Sequence, residues 1–436
     1  MLSRRQTLLV LAFLGSLGSA SALSACGPNL PSRSNSDPDT VRTYWWGGDL
    51  RHELTQQAFD LFKGSHSGIT VTPEYSEWTG YWDKLATQTS GGSMPDLLQM
   101  DEKYIDSYGT RGALLDLETL GDVLDLSGME KSLLDTGRLE NGTLVGAPLG
   151  TGILSVGVNS DILEESGVDA PHDTSWTWDD LQRTAAGISE WAAEEGRDIV
   201  GLDGFGQGGD QLAAWARQSG EQVFPRSDET LVSLDTIASF LDYSKKLVDA
   251  GAVPSVSAQI EDTAAGVEQG LFGTGRSAFH LQFHTQIQTF QTSSKAHMTL
   301  WRLPALTSGR HHMVNKASMY WSISSRSRSA QNAGVLMDFL LTDPGAAKAL
   351  KIERGVTGFP EVQDEIEPDL DEIETVCLDF ARDMQKEVAP TPRVTPTSGV
   401  GFSDDFTRLS QAYYFGSQSL EDAAQAILSS VQGMQS

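Results

Sequence analysis

Gly204-Phe205-Gly206-Gln207-Gly208-Gly209 has the Gly-x-Gly-x-x-Gly spacing, between an apolar run at residues 199–202 and a helical stretch at residues 211–218. A dinucleotide loop of this type sets a pyrophosphate on a helix N-terminus and needs an acid on the next strand about 20 residues on. Glu221 and Asp228 lie near that distance, but residues 221–230 do not read as a strand. Asp210 would also repel the phosphates, so the stretch reads as a flexible loop. His52-Glu53-Leu54-Thr55-Gln56 begins like a zinc-protease helix but has Gln where the second His must stand. His280 and His284 are four apart in a segment that reads as strand, which separates them by about 13 Å. His311-His312 would point to opposite faces of an extended chain. None of these nominates a metal, and there is no phosphate loop and no Gly-x-Ser-x-Gly elbow. The chain has 59 Asp and Glu, yet no spacing singles out the carboxylate pair, about 5–10 Å apart, that a glycosidase needs.

The ten tryptophans carry more information. A flat indole stacks on the apolar face of a sugar ring, while acids and amides accept hydrogen bonds from its hydroxyls. Sites for neutral polar solutes need that mixture. Trp45-Trp46 ends a β-branched and aromatic run and precedes Gly47-Gly48. Alternation along a strand sends one ring into the core and the other outward, at the strand end where open α/β sheets place ligands.

The elements that must position these residues follow from periodicity. Strands are expected at residues 41–46, 69–73, 96–100, 143–148, 153–159, 278–283 and 318–324. Helices are expected at residues 50–63, 78–89, 178–195, 235–250, 329–341 and 420–431, the first with Leu50, Leu54, Ala58, Leu61 and Phe62 on its inner side. The first hundred residues alternate strand, helix, strand, helix, strand, which makes a parallel sheet with helices on its faces. The length and the continued alternation predict two α/β lobes.

The start of the chain is of another kind. Residues 1–25 hold Arg4 and Arg5, no acid, an apolar run at residues 8–17 and small residues before Cys26, which together read as a secretory signal. The run is shorter than the roughly 20 residues of a permanent span. Leu23-Ser24-Ala25-Cys26 resembles a lipobox, which implies a diacylglyceryl group on Cys26. Two buried chains suffice for stable anchoring. Ser3-Arg4-Arg5 with Leu8 fits part of a twin-arginine signal and Thr7 departs from it, so both export routes stay open. Residues 26–39 are polar and rich in Pro and Ser, and read as a flexible tether. Cys377 then has no intrachain partner and reads as a buried small hydrophobe; a chain of this length builds a core without disulfides.

There are 31 Lys and Arg in the chain. Removing Arg4 and Arg5 with the signal leaves 29 against 59 acids, a net charge of −30. Such a surface repels nucleic acid and anionic headgroups. It suits solubility, or an acidic face for a basic partner.

Several segments, in order along the chain, resemble the extracellular solute-binding proteins (family 1, carbohydrate type) of ABC importers. They include Tyr44-Trp45-Trp46-Gly47-Gly48, Trp78-Thr79-Gly80-Tyr81-Trp82-Asp83-Lys84-Leu85, Gly91-Gly92-Ser93-Met94-Pro95-Asp96 and Gly146-Ala147-Pro148. Trp178-Asp179-Asp180-Leu181, Phe272-Gly273-Thr274-Gly275-Arg276-Ser277-Ala278, Phe339-Leu340-Leu341-Thr342-Asp343 and Gly355-Val356-Thr357-Gly358-Phe359-Pro360 follow. The resemblance implies a two-lobe periplasmic-binding-protein-like (type II) fold with three inter-lobe crossings, near residues 150–155, Pro304 and residues 321–324. Lobe 1 would take residues 40–150 plus 304–321, and lobe 2 residues 151–303 plus 322–436. It further implies a monomeric, lipid-anchored protein on the extracytoplasmic face of the cell membrane. Such a protein is not an enzyme, needs no cofactor, binds a mono- or oligosaccharide and delivers it to the permease subunits.

By position in these motifs the expected ligand-binding residues are Trp46, Asp49, Arg51, Glu77, Asp101, Thr151, Trp215, Gln282, His284, Trp321 and Arg354. The segment Gln282-Phe283-His284-Thr285 departs from the family pattern, which usually carries Gly-x-Trp with the sugar-stacking Trp; Phe283 or Trp215 would then replace it. The reading from another functional class is an exported glycan hydrolase. The two differ in turnover, since a binder returns its sugar intact.

Overall fold

The computed structural model describes residues 38–307, 313–387 and 393–435. The signal, Cys26, most of the tether and His311-His312 lie outside the described residues.

The chain opens with strand β1 (Thr40–Trp46), helix α1 (Asp49–Ser65), β2 (Thr70–Ser76), α2 (Trp78–Ser90), β3 (Leu97–Met100) and α3 (Glu102–Thr110). β1 pairs with β2 and β3, both in parallel, as the alternation predicts. α1 buries Thr55, Ala58, Phe59 and Phe62, a stripe at 3- and 4-residue spacing. That stripe is rotated from the expected one, and Leu50 and Leu61 are exposed. Trp45 and Trp46 do alternate, yet both are buried. β1 is an interior strand, and each face is covered: Trp45 packs on Phe59 and His52 of α1, and Trp46 on Trp78, Tyr81 and Trp82 of α2.

Two five-stranded sheets result. The first runs β2-β1-β3-β10-β4, with β4 at Ala147–Pro148 and β10 at Tyr320–Ile323 inserted antiparallel between β3 and β4. In the second, β6 (Val200–Asp203), β7 (Ser277–Phe283), β5 (Thr151–Asn159) and β8 (Met298–Trp301) lie in that order, and β9 (Asn315–Ala317) pairs with the start of β5. All nine residues of β5 are buried, because the second core closes over both faces. Local signals fix the helix ends. Thr177 and Asp180 form a reciprocal capping box at the helix Trp178–Glu194, worth about 1 kcal/mol.

Each sheet has its own hydrophobic core. One collects residues from Val41 to Leu149 and from Ala317 to Ala346, together with Phe359 and Val394. The other collects residues from Ile153 to Met313 and most of the chain from Ile352 on. The sequence-based boundaries at 304 and 321 therefore need correction. Leu303 and Met313 belong to the second core, whereas Ile323 and the helix Ala330–Thr342 pack in the first. The reason is the insertion of β10 into the first sheet, which leaves the following helix to cover that sheet.

The chain passes between the cores at residues 149–153, 313–319 and 346–356. The second and third passages lie beyond the positions near Pro304 and residues 321–324 expected from the family pattern. The three segments run side by side as a ribbon. Thr151, Gly152 and Ile153 pair with Ala317, Lys316 and Asn315. Leu149 N–H donates to the Met319 carbonyl (2.9 Å), Ser318 N–H to Gly150 (2.8 Å) and Thr151 N–H to Val356 (2.7 Å). A Cβ on Gly150 would sit 2.5 Å from the Gly355 carbonyl carbon, and Gly355 has φ +107°. Gly150 thus serves close approach, and Gly355 supplies the backbone shape that other residues rarely adopt.

Candidate functional site

A cavity of about 350 Å³ lies between the two cores, with the ribbon as one wall. Asp101, Glu102, Thr136 and Tyr320 line it from the first lobe, and Leu154, Ala213, Phe224, Phe283 and Phe402 from the second. Val314 and Lys316 come from the ribbon, and Arg393, Val394 and Thr395 from the segment after the helix Glu372–Met384. The volume is within the range of small-molecule sites.

The sequence places the polar groups here by simple means. Asp101 ends β3 and caps α3, accepting the Lys103 N–H at 2.9 Å. Burial raises the Asp101 carboxyl pKa, and the charge of Lys316 opposes the rise. Lys316 Nζ sits 4.4 Å from the Phe283 ring centroid, a cation over an aromatic face. Tyr320 donates its hydroxyl hydrogen to the Thr136 carbonyl at 3.0 Å, which leaves the ring as a flat wall. The arrangement offers three phenyl faces, a carboxylate and an ammonium to one enclosed solute.

Beside Asp101 an aromatic shelf continues the first-lobe wall. Trp82 packs on Tyr104 of α3 (4.0 Å between centroids), and Trp46 on Trp78 (5.1 Å) and Trp82 (5.5 Å). Trp78 is 40% exposed. The Tyr104 phenol pKa is raised by burial and by the carboxylates of Asp101 and Asp404. Asp404 lies on the second-lobe helix Phe402–Tyr414, so the shelf faces the other lobe.

The structure distributes the sequence-predicted residues over six places. Asp101 lines the cavity and Trp46 belongs to the shelf. Asp49 and Glu77 are exposed at the starts of α1 and α2, where the Glu77 side chain caps nothing. Thr151 is in the ribbon, its hydroxyl donating to the Asn315 side-chain carbonyl. Arg51, Trp321 and Arg354 come together elsewhere, with a second cavity of about 40 Å³ beside Trp321 and Arg354. Arg354 donates to Thr55 Oγ1 (2.7 Å) and Gln99 Oε1 (3.3 Å), with its guanidinium 5.7 Å from the Trp321 centroid. Burial lowers the Arg354 pKa to about 9, so the group is still a cation at neutral pH. Arg51 Nε pairs with Glu353 at 2.7 Å.

Trp215, Gln282 and His284 do not line the cavity. Trp215 is buried against Trp178 and Tyr243, its indole N–H donating to Ser239 at 3.0 Å. The Gln282 amide is buried beside Gly157 with neither polar atom bonded. His284 is fully buried and its Nδ1 accepts the Ile153 N–H at 3.1 Å; burial lowers its pKa to about 3, so it stays neutral and holds the start of β5. Cys377 is buried beside it, with the thiol pushed up to about 12 by burial. The glycine loop at residues 204–209 is satisfied internally: Gln211 accepts from Gly206 N–H (2.7 Å) and donates to the Gly204 carbonyl (2.9 Å).

Sequence reasoning missed Lys316, Phe224, Phe402, Tyr104 and the segment at residues 393–397. They meet only through contacts between distant parts of the chain, and no local pattern marks them. Phe283 was marked by its place in the departing segment.

A sequence profile described as "Bacterial extracellular solute-binding protein" matches residues 57–374. A lactose-binding protein of Rhizobium radiobacter is 24% identical over 251 residues, which are 53% of this chain and 56% of that protein. The match thus spans about half of its length. A maltooligosaccharide ABC transporter solute-binding lipoprotein of Streptococcus pneumoniae serotype 4 is 21% identical over 353 residues, 77% of this chain and 75% of the relative. Among solved structures, a periplasmic solute-binding protein of Pectobacterium atrosepticum superimposes with a TM-score of 0.79 at 23% identity, covering 91% of this chain and 98% of the other. At that identity the likeness establishes the fold: two lobes, each with its own sheet.

Proposed function

The chain belongs to the bacterial extracellular solute-binding protein family, and on that premise we propose that it captures a carbohydrate between its lobes and delivers it to an ABC importer. The observation that carries this reading is the cavity shared by both lobes, with phenyl faces and a carboxylate inside and a tryptophan–tyrosine shelf at its edge. Aromatic faces suit the C–H side of a sugar ring and the polar groups suit its hydroxyls. The names of the lactose- and maltooligosaccharide-binding relatives support the same class.

In this reading Asp101, Lys316 and Phe283 hold the sugar, with Trp46 and the shelf beside it. The ribbon is the hinge on which the lobes close, and the transporter meets the closed surface. The protein acts as a monomer and without turnover. A glycan hydrolase would need a free carboxylate pair facing one bond; of the cavity's carboxylates, Asp101, Glu102 and Asp210, Glu102 already accepts both the N–H and the hydroxyl of Thr395.

The test is a sugar panel in a thermal-shift assay with mass analysis of the recovered sugar. A sugar at 100 times its Kd should stabilise the fold by about 2.7 kcal/mol and be recovered intact. No shift with any mono- or oligosaccharide, or a shortened sugar, would sink the proposal.

We also propose that Cys26 carries the lipid that keeps the protein on the extracytoplasmic face of the membrane. The Cys26→Ala chain should appear in the medium or as uncleaved precursor. Normal processing with full membrane retention would contradict the anchor.

A further inference from the structure

Residues 393–397 lie between two helices of the second lobe, Glu372–Met384 and Phe402–Tyr414, yet they are fastened to the first. Val394 is buried in the first core, and Arg393 pairs with Glu140 at 2.8 Å. Thr395 donates both its N–H (2.7 Å) and its hydroxyl (2.6 Å) to Glu102 Oε1. Thr397 donates both of its own to Asp106 Oδ2, each at 2.9 Å. The register is matched. Two residues of extended chain rise about 6.6 Å, and four residues of α-helix rise about 6 Å. Glu102 and Asp106, four apart on α3, therefore meet Thr395 and Thr397, two apart with the extended Pro396 between them.

The chain returns to the second lobe at once. Ser398 donates its hydroxyl hydrogen to the Met434 carbonyl. Gly399 lies so close to Phe224 that a Cβ would be 2.6 Å from the ring. Thr397 and Gly399 are two residues apart, a reach of about 7 Å at full extension. The lobes are thus pinned together at the cavity, which Thr395, Gly399 and Phe224 all line.

We propose that residues 393–397 are a latch, and that the lobes separate only when Thr395 and Thr397 leave Glu102 and Asp106. The latch holds the closed form independently of any solute, and its release gates entry and exit. The idea rests on the reading of the cavity as the ligand site, but the fastening itself does not require a sugar.

The test is a distance measurement without sugar. Spin labels go on Asp122→Cys and Asp228→Cys, both exposed, one on each lobe, in mature chain carrying Cys26→Ser. Thr395→Val with Thr397→Val removes the two hydroxyl donors and keeps the β-branched shape. The population at the longer inter-lobe distance should rise at least about twofold, and Thr397→Ser should restore the original distribution. An unchanged distribution in the folded double variant would overturn the latch and make the segment a passenger of the first lobe. If the double variant does not fold, Thr397→Val alone is read by the same criterion. A distance shift with no sugar binding in the panel would leave the latch standing and remove the carbohydrate reading.

Discussion

Phe283 and Trp46 show how two aromatic residues of similar promise do different work. Phe283 is half-buried, lines the cavity and carries Lys316 over its face. Trp46 is 7% exposed and walled in by Trp78, Tyr81 and Trp82. Phe283→Ala should weaken binding of the panel's best sugar by about 1–3 kcal/mol, the scale of a lost aromatic anchor, with the melting temperature little changed. Trp46→Ala should instead cost about 3–5 kcal/mol of stability, as large buried aromatics do. Titration calorimetry and thermal melts separate the two. An unchanged Kd in Phe283→Ala would put that ring outside the site. At this scale the sequence was a partial guide. Asp101, expected from its position in the family motifs, lines the cavity. His284 and Gln282 occupy the expected segment, but their side chains turn into the second core, and nothing in that segment records which way a side chain leaves the last turn of a strand.

The elements were more legible than the residues. Periodicity located β1, β2, β3, β5 and β7 and six of the longer helices to within a few residues, since each carries a stripe or an alternation of its own, but not Glu372–Met384 or Phe402–Tyr414. The short strands β6, β8 and β9 were missed, because runs of three or four residues give little pattern to read. The ribbon was missed as a structure for another reason. It joins Gly150, Ser318 and Val356, which are far apart in sequence, and its bonds are set by the sheets on either side. Gly150-Thr151-Gly152 did mark one strand of it. The latch was hidden in the same way: Arg393-Val394-Thr395-Pro396-Thr397 looks like an ordinary loop until α3 presents two carboxylates at its spacing.

For the whole molecule, sequence and structure agree on two lobes, each with a sheet and a core, and the family match covers most of the chain. The chain as a whole has a net charge of −28, an excess of like charge that repels other anions. Within that acidic shell, the cavity brings Asp101 and Lys316 together with three phenyl faces. The most direct measurement is a crystal structure of the protein with the sugar that the panel selects. That sugar should lie in the cavity between the lobes, against Phe283, with hydrogen bonds to Asp101 or Lys316 and contacts from both lobes. A sugar seated on one lobe alone, or outside this cavity, would contradict this reading.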